Sequence, residues 1–138
     1  MPFRPKSLNE VAQKASTLEA WGLGIAEFLD EVNAVRLKEG SSALLDLVRE
    51  EPPALKLRFE QGETADAFAA ALAEHLAHEA AAPAPEWTSK RERYLAQAWF
   101  PLSQIAERPY LRSQIERNTP TSFRNHNVFI DENSLVRT

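Results

Sequence analysis

Apolar positions recur along this chain with a period near 3.6 rather than 2, in blocks separated by glycine and proline. Leu8, Val11, Ala12, Ala15 and Leu18 stand at helical spacing. Ser7, three residues ahead of Glu10, forms an S-x-x-E capping box. In such a box the serine oxygen and the carboxylate each satisfy a backbone N–H that the first turn leaves free. A first helix is therefore predicted from Ser7. A second is predicted to follow Gly22 and Gly24, with Trp21, Ile25, Phe28, Val32 and Val35 on one face and Leu29 flanking it. Glu27, Asp30, Glu31 and Arg36 take the other side, and Gly40 is the stop signal. The pair Gly22 and Gly24 reads as a tight bend or a place where two helices approach closely.

Ser41 or Ser42 can cap a shorter third helix over Ala43 to Glu50, which Pro52 and Pro53 end. Residues 54–62 read as a loop or a single turn. Thr64 then opens the clearest pattern, TADAFAAALAEHLAHEAAA, in which Phe68, Leu72 and Leu76 stack at i, i+4 and i+8. Its alanines suit either close helix packing or simply high intrinsic propensity. Pro83 and Pro85 terminate it.

Past Pro85 the character changes. Trp87, Tyr94, Trp99, Phe100, Tyr110 and Phe123 follow within a short span. The pattern predicts a short helix over Ser89 to Ala98, a break at Pro101, and a helix over Pro109 to Arg117 with proline in its favoured first position. Val128 to Ile130 reads as one short strand or an extended docking segment, and Asp131 or Asn133 as the cap of a last turn. The fold expected is a mostly α, single-domain helical bundle of about six helices with at most one short strand. Within it, residues 7–82 form a helical body and residues 86–138 an aromatic-rich C-terminal subdomain.

Composition sharpens this only in places. The 138 residues are 43% hydrophobic with a net charge of −4, an ordinary balance for a folded chain. Cysteine is absent, which excludes disulfides, thiol catalysis and cysteine-held metals and suits a reducing compartment. No apolar run approaches the roughly 18 residues that span a bilayer. MPFRPKSLNE has no apolar signal-peptide core. A cytoplasmic protein that does not enter the membrane is the expectation. Up to Pro85 there are 14 acidic and 8 basic residues, and from Glu86 onward 6 and 8, so −6 gives way to +2. Such asymmetry can mark two surfaces with different partners.

Catalytic chemistry finds little support. In Glu74-His75-Leu76-Ala77-His78-Glu79, two histidines three apart and a glutamate could grip a metal from one helix. The order differs from the helical zinc motifs H-E-x-x-H and H-x-x-E-H. Helical geometry puts His75 beside the apolar face and His78 in solvent, so a half-buried and a solvated histidine are expected, and no metal. There is no nucleophile elbow, phosphate loop or dinucleotide fingerprint. Asp30-Glu31 and Glu50-Glu51 read as solvated charges. No cofactor and no enzymatic activity are expected.

Two binding readings remain. Arg108, Arg112, Arg117 and Arg124, with Asn125, His126 and Asn127, are side chains of the kind that contact phosphates and base edges. Two short helices joined near Glu107 to Pro109 also suggest a helix-turn-helix. Against this, Glu107 and Glu116 interrupt the arginines and no lysine follows Lys90, whereas phosphate contacts supply most nucleic-acid affinity. The other reading is a protein partner. Trp99, Phe100, Phe123, Val128, Phe129 and Ile130 are docking candidates, with Arg124 as a charged anchor, or else they are core.

The segments LAEHLAHEAAAPAPEWTSKRERYLAQAWFP and LRSQIERNTPTSFRNHNVFIDENSL carry a recognisable order of motifs. A helix ending in LAEHLA is followed by Pro-x-Pro-x-Trp, then Trp-Phe, then a P-x-x-F-R-x-x-x-V-F-I-D stretch. The matching residues are Leu72 to Ala77, Pro83 to Trp87, Trp99-Phe100 and Pro120 to Asp131. This half of the chain resembles small bacterial proteins encoded beside nucleotidyltransferase-like toxins, thought to act as antitoxin or accessory partners. The resemblance implies an interaction or regulatory protein with no catalytic site. Asn125-His126-Asn127 departs from the more basic or glycine-rich character expected there. The function expected is non-catalytic binding of a partner protein, with nucleic-acid binding as the alternative and self-association open.

Overall fold

The computed structural model describes residues 4–100 and 109–136. Among these residues the chain is mostly α, as expected. Its α-helices are α1 (Leu8–Lys14), α2 (Leu18–Glu39), α3 (Gly62–Glu79), α4 (Pro109–Asn118) and α5 (Thr121–Asn125). Short 3-10 helices cover Ser41–Leu47, Glu86–Ser89, Arg91–Arg93 and Glu132–Leu135. No strand occurs among the described residues. One isolated parallel bridge joins Trp99 to Val128.

Helix α3 is the axis of the fold. Twelve of its residues are buried, among them Ala65, Ala67, Ala69, Ala70, Ala71, Ala73 and Ala77. A helix that is apolar all round has to be covered all round. Alanine allows this, because it lets neighbouring backbones approach from every side. Helices α2 and α5 and the turns at 41–47, 86–89 and 91–93 do so. The alanines therefore serve close packing, with high propensity as a by-product. Phe123, Val128 and Ile130 from the C-terminal end share one buried cluster with Leu8, Phe28 and Leu72.

Several boundaries differ from expectation. Thr17, not a glycine, opens α2: its Oγ1 accepts the Ala20 N–H at 3.0 Å. The helix then runs straight through Gly22 and Gly24, because Trp21, Ile25 and Phe28 are buried on its inner side. A Cβ at Gly24 would sit 3.0 Å from Val11 Cγ1, so this glycine serves the close approach of α1. The capping box forms in part. Ser7 Oγ accepts from Glu10 N, but the Glu10 carboxylate reaches the Lys6 N–H instead of that of Ser7. The third helix is a 3-10 turn that stops at Leu47, short of Glu50.

The start of α3 lies two residues earlier than Thr64. Gln61 adopts a left-handed φ of 66°, and a Cβ on Gly62 would fall 1.8 Å from the Leu55 carbonyl oxygen. Only glycine permits this crossing. Asp66, one turn on, accepts the N–H groups of Leu55 at 2.7 Å and Lys56 at 3.1 Å, which pins the incoming loop to the helix.

The helix expected over Ser89 to Ala98 does not form. Two 3-10 turns end at Arg93, and the chain then runs to Phe100 as non-helical backbone with bends at 94 and 96–97. This path lets Leu95 N–H reach the His126 carbonyl at 3.2 Å and Trp99 N–H reach the Asn127 carbonyl at 2.9 Å. Phe129 N–H returns to the Trp99 carbonyl at 2.9 Å. A helix would forfeit all three. Asn127 takes a left-handed φ of 63° to turn the chain into this pairing, and its side chain donates to the Leu95 carbonyl at 2.7 Å. Of the two expected caps of the last turn, Asp131 serves, its side chain accepting the Asn133 N–H.

Candidate docking surface

In extended chain, successive side chains point to opposite sides. Val128 and Ile130 therefore turn into the core, where they are 0% and 4% exposed, and Phe129 turns outward. Across the bridge Phe100 does the same. The two rings stack at 5.2 Å and 19°. A guanidinium covers each outer face. Arg112, on α4, lies 4.7 Å from the centre of Phe100, and Arg124, on α5, lies 5.7 Å from that of Phe129. The result is a four-layer surface stack in the order Arg112, Phe100, Phe129, Arg124.

The guanidiniums are held from behind. Arg112 Nε donates to Glu116 Oε1 at 3.2 Å, and Arg124 Nη2 donates to the carbonyl oxygens of Glu116 and Thr119. Each of these bonds engages only part of a planar fork with five N–H donors. Arg117, on the same helix, is exposed and has no ion-pair partner among the described residues.

The other side of the same backbone forms an apolar groove. Ile25 and Leu29 of α2, Phe68 of α3, Trp99, Ile115 of α4 and Ile130 line a hollow of about 350 Å³ that ends at Asp131, Ser134 and Leu135. A second hollow of about 420 Å³ shares Gly22, Ile25, Phe68 and Trp99 with it and extends to Leu18 and Trp21. Stack and groove adjoin, because Trp99–Phe100 and Phe129–Ile130 each give one residue to each.

The predicted docking set therefore divides. Phe100, Phe129 and Arg124 converge on the surface, and Trp99 lines the groove half-buried. Phe123, Val128 and Ile130 are corrected. Phe123 and Val128 are fully buried, Phe123 with its ring edge-on to Phe68 at 5.2 Å and to His75 at 5.9 Å, and Ile130, 4% exposed, is a core residue that only floors the groove. Of the arginines read as nucleic-acid contacts, Arg112 and Arg124 enter the stack. Arg108 and the junction at 107–108 lie outside the described residues.

His126 and Asn127 are not surface contacts. His126 is completely buried, with Nδ1 2.7 Å from the Arg93 carbonyl oxygen and Tyr94 stacked on it at 4.1 Å. A carbonyl only accepts, so Nδ1 carries the proton. Nε2 lies 2.9 Å from Glu74 Oε1 without hydrogen-bond alignment.

Sequence reasoning missed a buried polar hub. Arg93 is 1% exposed. It pairs with Asp66 at 3.7 Å and Glu51 at 3.3 Å, donates to the Pro52 carbonyl at 2.8 Å, and lies 4.8 Å from the centre of Trp87. Burial pushes the Asp66 carboxyl up, while the Leu55 and Lys56 N–H groups and the Arg93 charge pull against it. The Lys90 hydrogen bond holds Glu51 below the usual carboxylate range. One signal existed in the sequence: Asp66 sits on an otherwise apolar stretch of helix, and a buried carboxylate demands a cation.

The histidine cluster does not assemble a metal centre. His75 is half-buried and His78 exposed. Both Glu79 oxygens are engaged, by Arg36 through Nη2 at 2.9 Å and through Nε, and by Ser41 at 3.1 Å. The Arg36 bond keeps Glu79 ionised below its ordinary range. Burial pushes the His75 imidazole down, so it stands neutral beside a polar cleft of about 340 Å³ that also contains Asn33, Glu132 and Asn133. Among the described residues no group of three or more histidines and carboxylates is placed to hold a metal ion. None of the helices described is long and apolar enough to cross a membrane.

Comparison with family models, curated proteins and solved structures yields no match to this chain.

Proposed function

We propose that this protein is a non-catalytic interaction module that docks a partner protein on the Arg112–Phe100–Phe129–Arg124 stack and the groove beside it. The stack is the observation that carries the reading. Arginine and aromatic side chains supply much of the energy at protein contacts. Here their rotamers are set before any partner arrives, which lowers the entropy lost on binding. The antitoxin-like role, with a nucleotidyltransferase-like partner, is supported by the motif resemblance of the C-terminal half alone.

Nucleic-acid binding is the second reading, favoured by the exposed Arg112, Arg117 and Arg124 on neighbouring helices. The geometry speaks against a single-strand platform, because base stacking needs a free aromatic face. Both outer faces of the ring pair are already covered.

Replacing Phe129 with photoreactive benzoylphenylalanine in the native host tests the docking reading, with Leu57, 96% exposed on the 55–61 loop, as the control position. A discrete protein adduct at 129 and none at 57 is expected. Equal adduct patterns at the two positions, or a nucleic-acid adduct at 129, would remove it.

A further inference from the structure

The chemistry of the partner can be taken one step further, resting on the docking reading above. We infer that the segment received by this face is acidic: a peptide stretch that sets aliphatic side chains in the groove and carboxylates against Arg112 and Arg124.

Three observations lead there. The first is unspent charge. Arg124 is bonded to backbone carbonyls of Glu116 and Thr119, and no carboxylate among the described residues pairs with its positive charge. Arg117 is likewise unpaired among the described residues, and only Arg112 has an acid, the exposed Glu116. The second is pre-orientation. Ring contacts and hydrogen bonds through Arg112 Nε and Arg124 Nη2 hold both guanidiniums, while both residues stay exposed to solvent with N–H donors to spare. A planar fork matches a carboxylate or phosphate with two parallel bonds. The third is the groove. Its walls are apolar over most of their length, a surface that aliphatic side chains fit and sugar–phosphate backbone does not.

A nucleic acid would satisfy only the guanidiniums. It would find the aromatic faces closed and the groove unfavourable. A neutral apolar peptide would satisfy only the groove. An acidic amphipathic segment satisfies both.

The test uses the full-length protein and a fluorescent peptide of about 12 residues alternating Glu or Asp with Leu or Ile. Two comparison probes are the same peptide with Gln and Asn for the acids, and a thymidine oligonucleotide of about 12 nucleotides. Anisotropy titration should show saturable binding of the acidic peptide, weakened about ten-fold or more in the amide peptide. The Arg112→Gln/Arg124→Gln variant should lose a comparable factor, and raising salt from about 50 to about 500 mM should weaken binding further. The Arg112→Lys/Arg124→Lys variant, which keeps the charge and loses the fork, should fall between. Equal affinity for the amide peptide, tighter binding of the oligonucleotide, or no saturable binding of the acidic peptide each overturns the inference. If the benzoylphenylalanine adduct at 129 persists undiminished in the double Gln variant, the docking reading survives and the acidic partner does not.

Discussion

Replacing Arg93 with methionine should be among the most damaging single changes in this protein. Methionine keeps the apolar stem but ends short of the Cζ that lies on Trp87, and it removes the charge and every donor. Asp66, 3% exposed at its side chain, is then left as a buried carboxylate without its cation, still gripped by the Leu55 and Lys56 N–H groups. Breaking one side of a buried ion pair costs about 3–5 kcal/mol. The Pro52 carbonyl, bonded at 2.8 Å, loses its donor in the same step, so the upper part of that range is expected. Unfolding entropy near about 2.1 cal/mol/K per residue amounts to about 0.29 kcal/mol/K for 138 residues, which converts the loss to about 10–17 °C in Tm. Urea denaturation followed by circular dichroism at neutral pH, with thermal melts alongside, measures both. The double variant Arg93→Met/Asp66→Asn separates the charge from the shape. The amide no longer needs a cation and still accepts a backbone N–H, so the double variant should recover about 1–3 kcal/mol relative to the sum of the single changes. A loss below about 1 kcal/mol for Arg93→Met, or strict additivity in the cycle, would show that the hub is solvated and the reasoning wrong.

Three further outcomes are expected. Gly62→Ala should destabilise by about 2 kcal/mol or more, since its Cβ meets backbone at 1.8 Å, whereas Gly22→Ala, with nothing within 4 Å, should stabilise by about 0.5–1 kcal/mol; equal effects in denaturation would refute the assigned crossing. Burial lowers the folded-state pKa of His75 below its ordinary 6.5, so the unfolded chain takes up the proton first and stability declines as pH falls through that region. His75→Gln should flatten stability against pH between about 7.5 and 5.5, and an unchanged slope would contradict this. Glu79 and Glu51 are depressed below 4.5 instead, so the stability they contribute is present above that value and is lost at lower pH. Arg36→Met should therefore reduce the steepness of acid unfolding below about pH 4.5, as followed by circular dichroism.

The helices with strong periodicity were readable from the chain alone. The α3 pattern, the Gly40 stop, the proline-opened α4 and the Asp131 cap depend on neighbours three or four residues away, and such neighbours are visible in a linear text. So was the split between a half-buried His75 and an exposed His78, since it follows from rotation about one helix axis. The candidate surface was half legible. Residue type picked out Phe100, Phe129, Arg112 and Arg124, but assigned the rings to a protein partner and Arg112 to nucleic acid, with Arg124 alone in both readings. The alternation of sides at 128–130 depends on extended backbone, and that backbone is held by Trp99, whose N–H donates to the Asn127 carbonyl and whose carbonyl accepts from Phe129 N–H, thirty residues on.

What the amino-acid order determined by itself is local: where helices are favoured, where they stop, and which faces seek cover. Tertiary structure decided the rest. It chose an irregular 94–100 over a helix, because three long-range hydrogen bonds outweigh local propensity. It placed Arg93 beside Asp66, since a buried charge draws its partner from wherever in the chain the fold can bring one. It also sent Phe123 inward and Phe129 outward, a distinction that no scale of residue hydrophobicity contains, because both are phenylalanine.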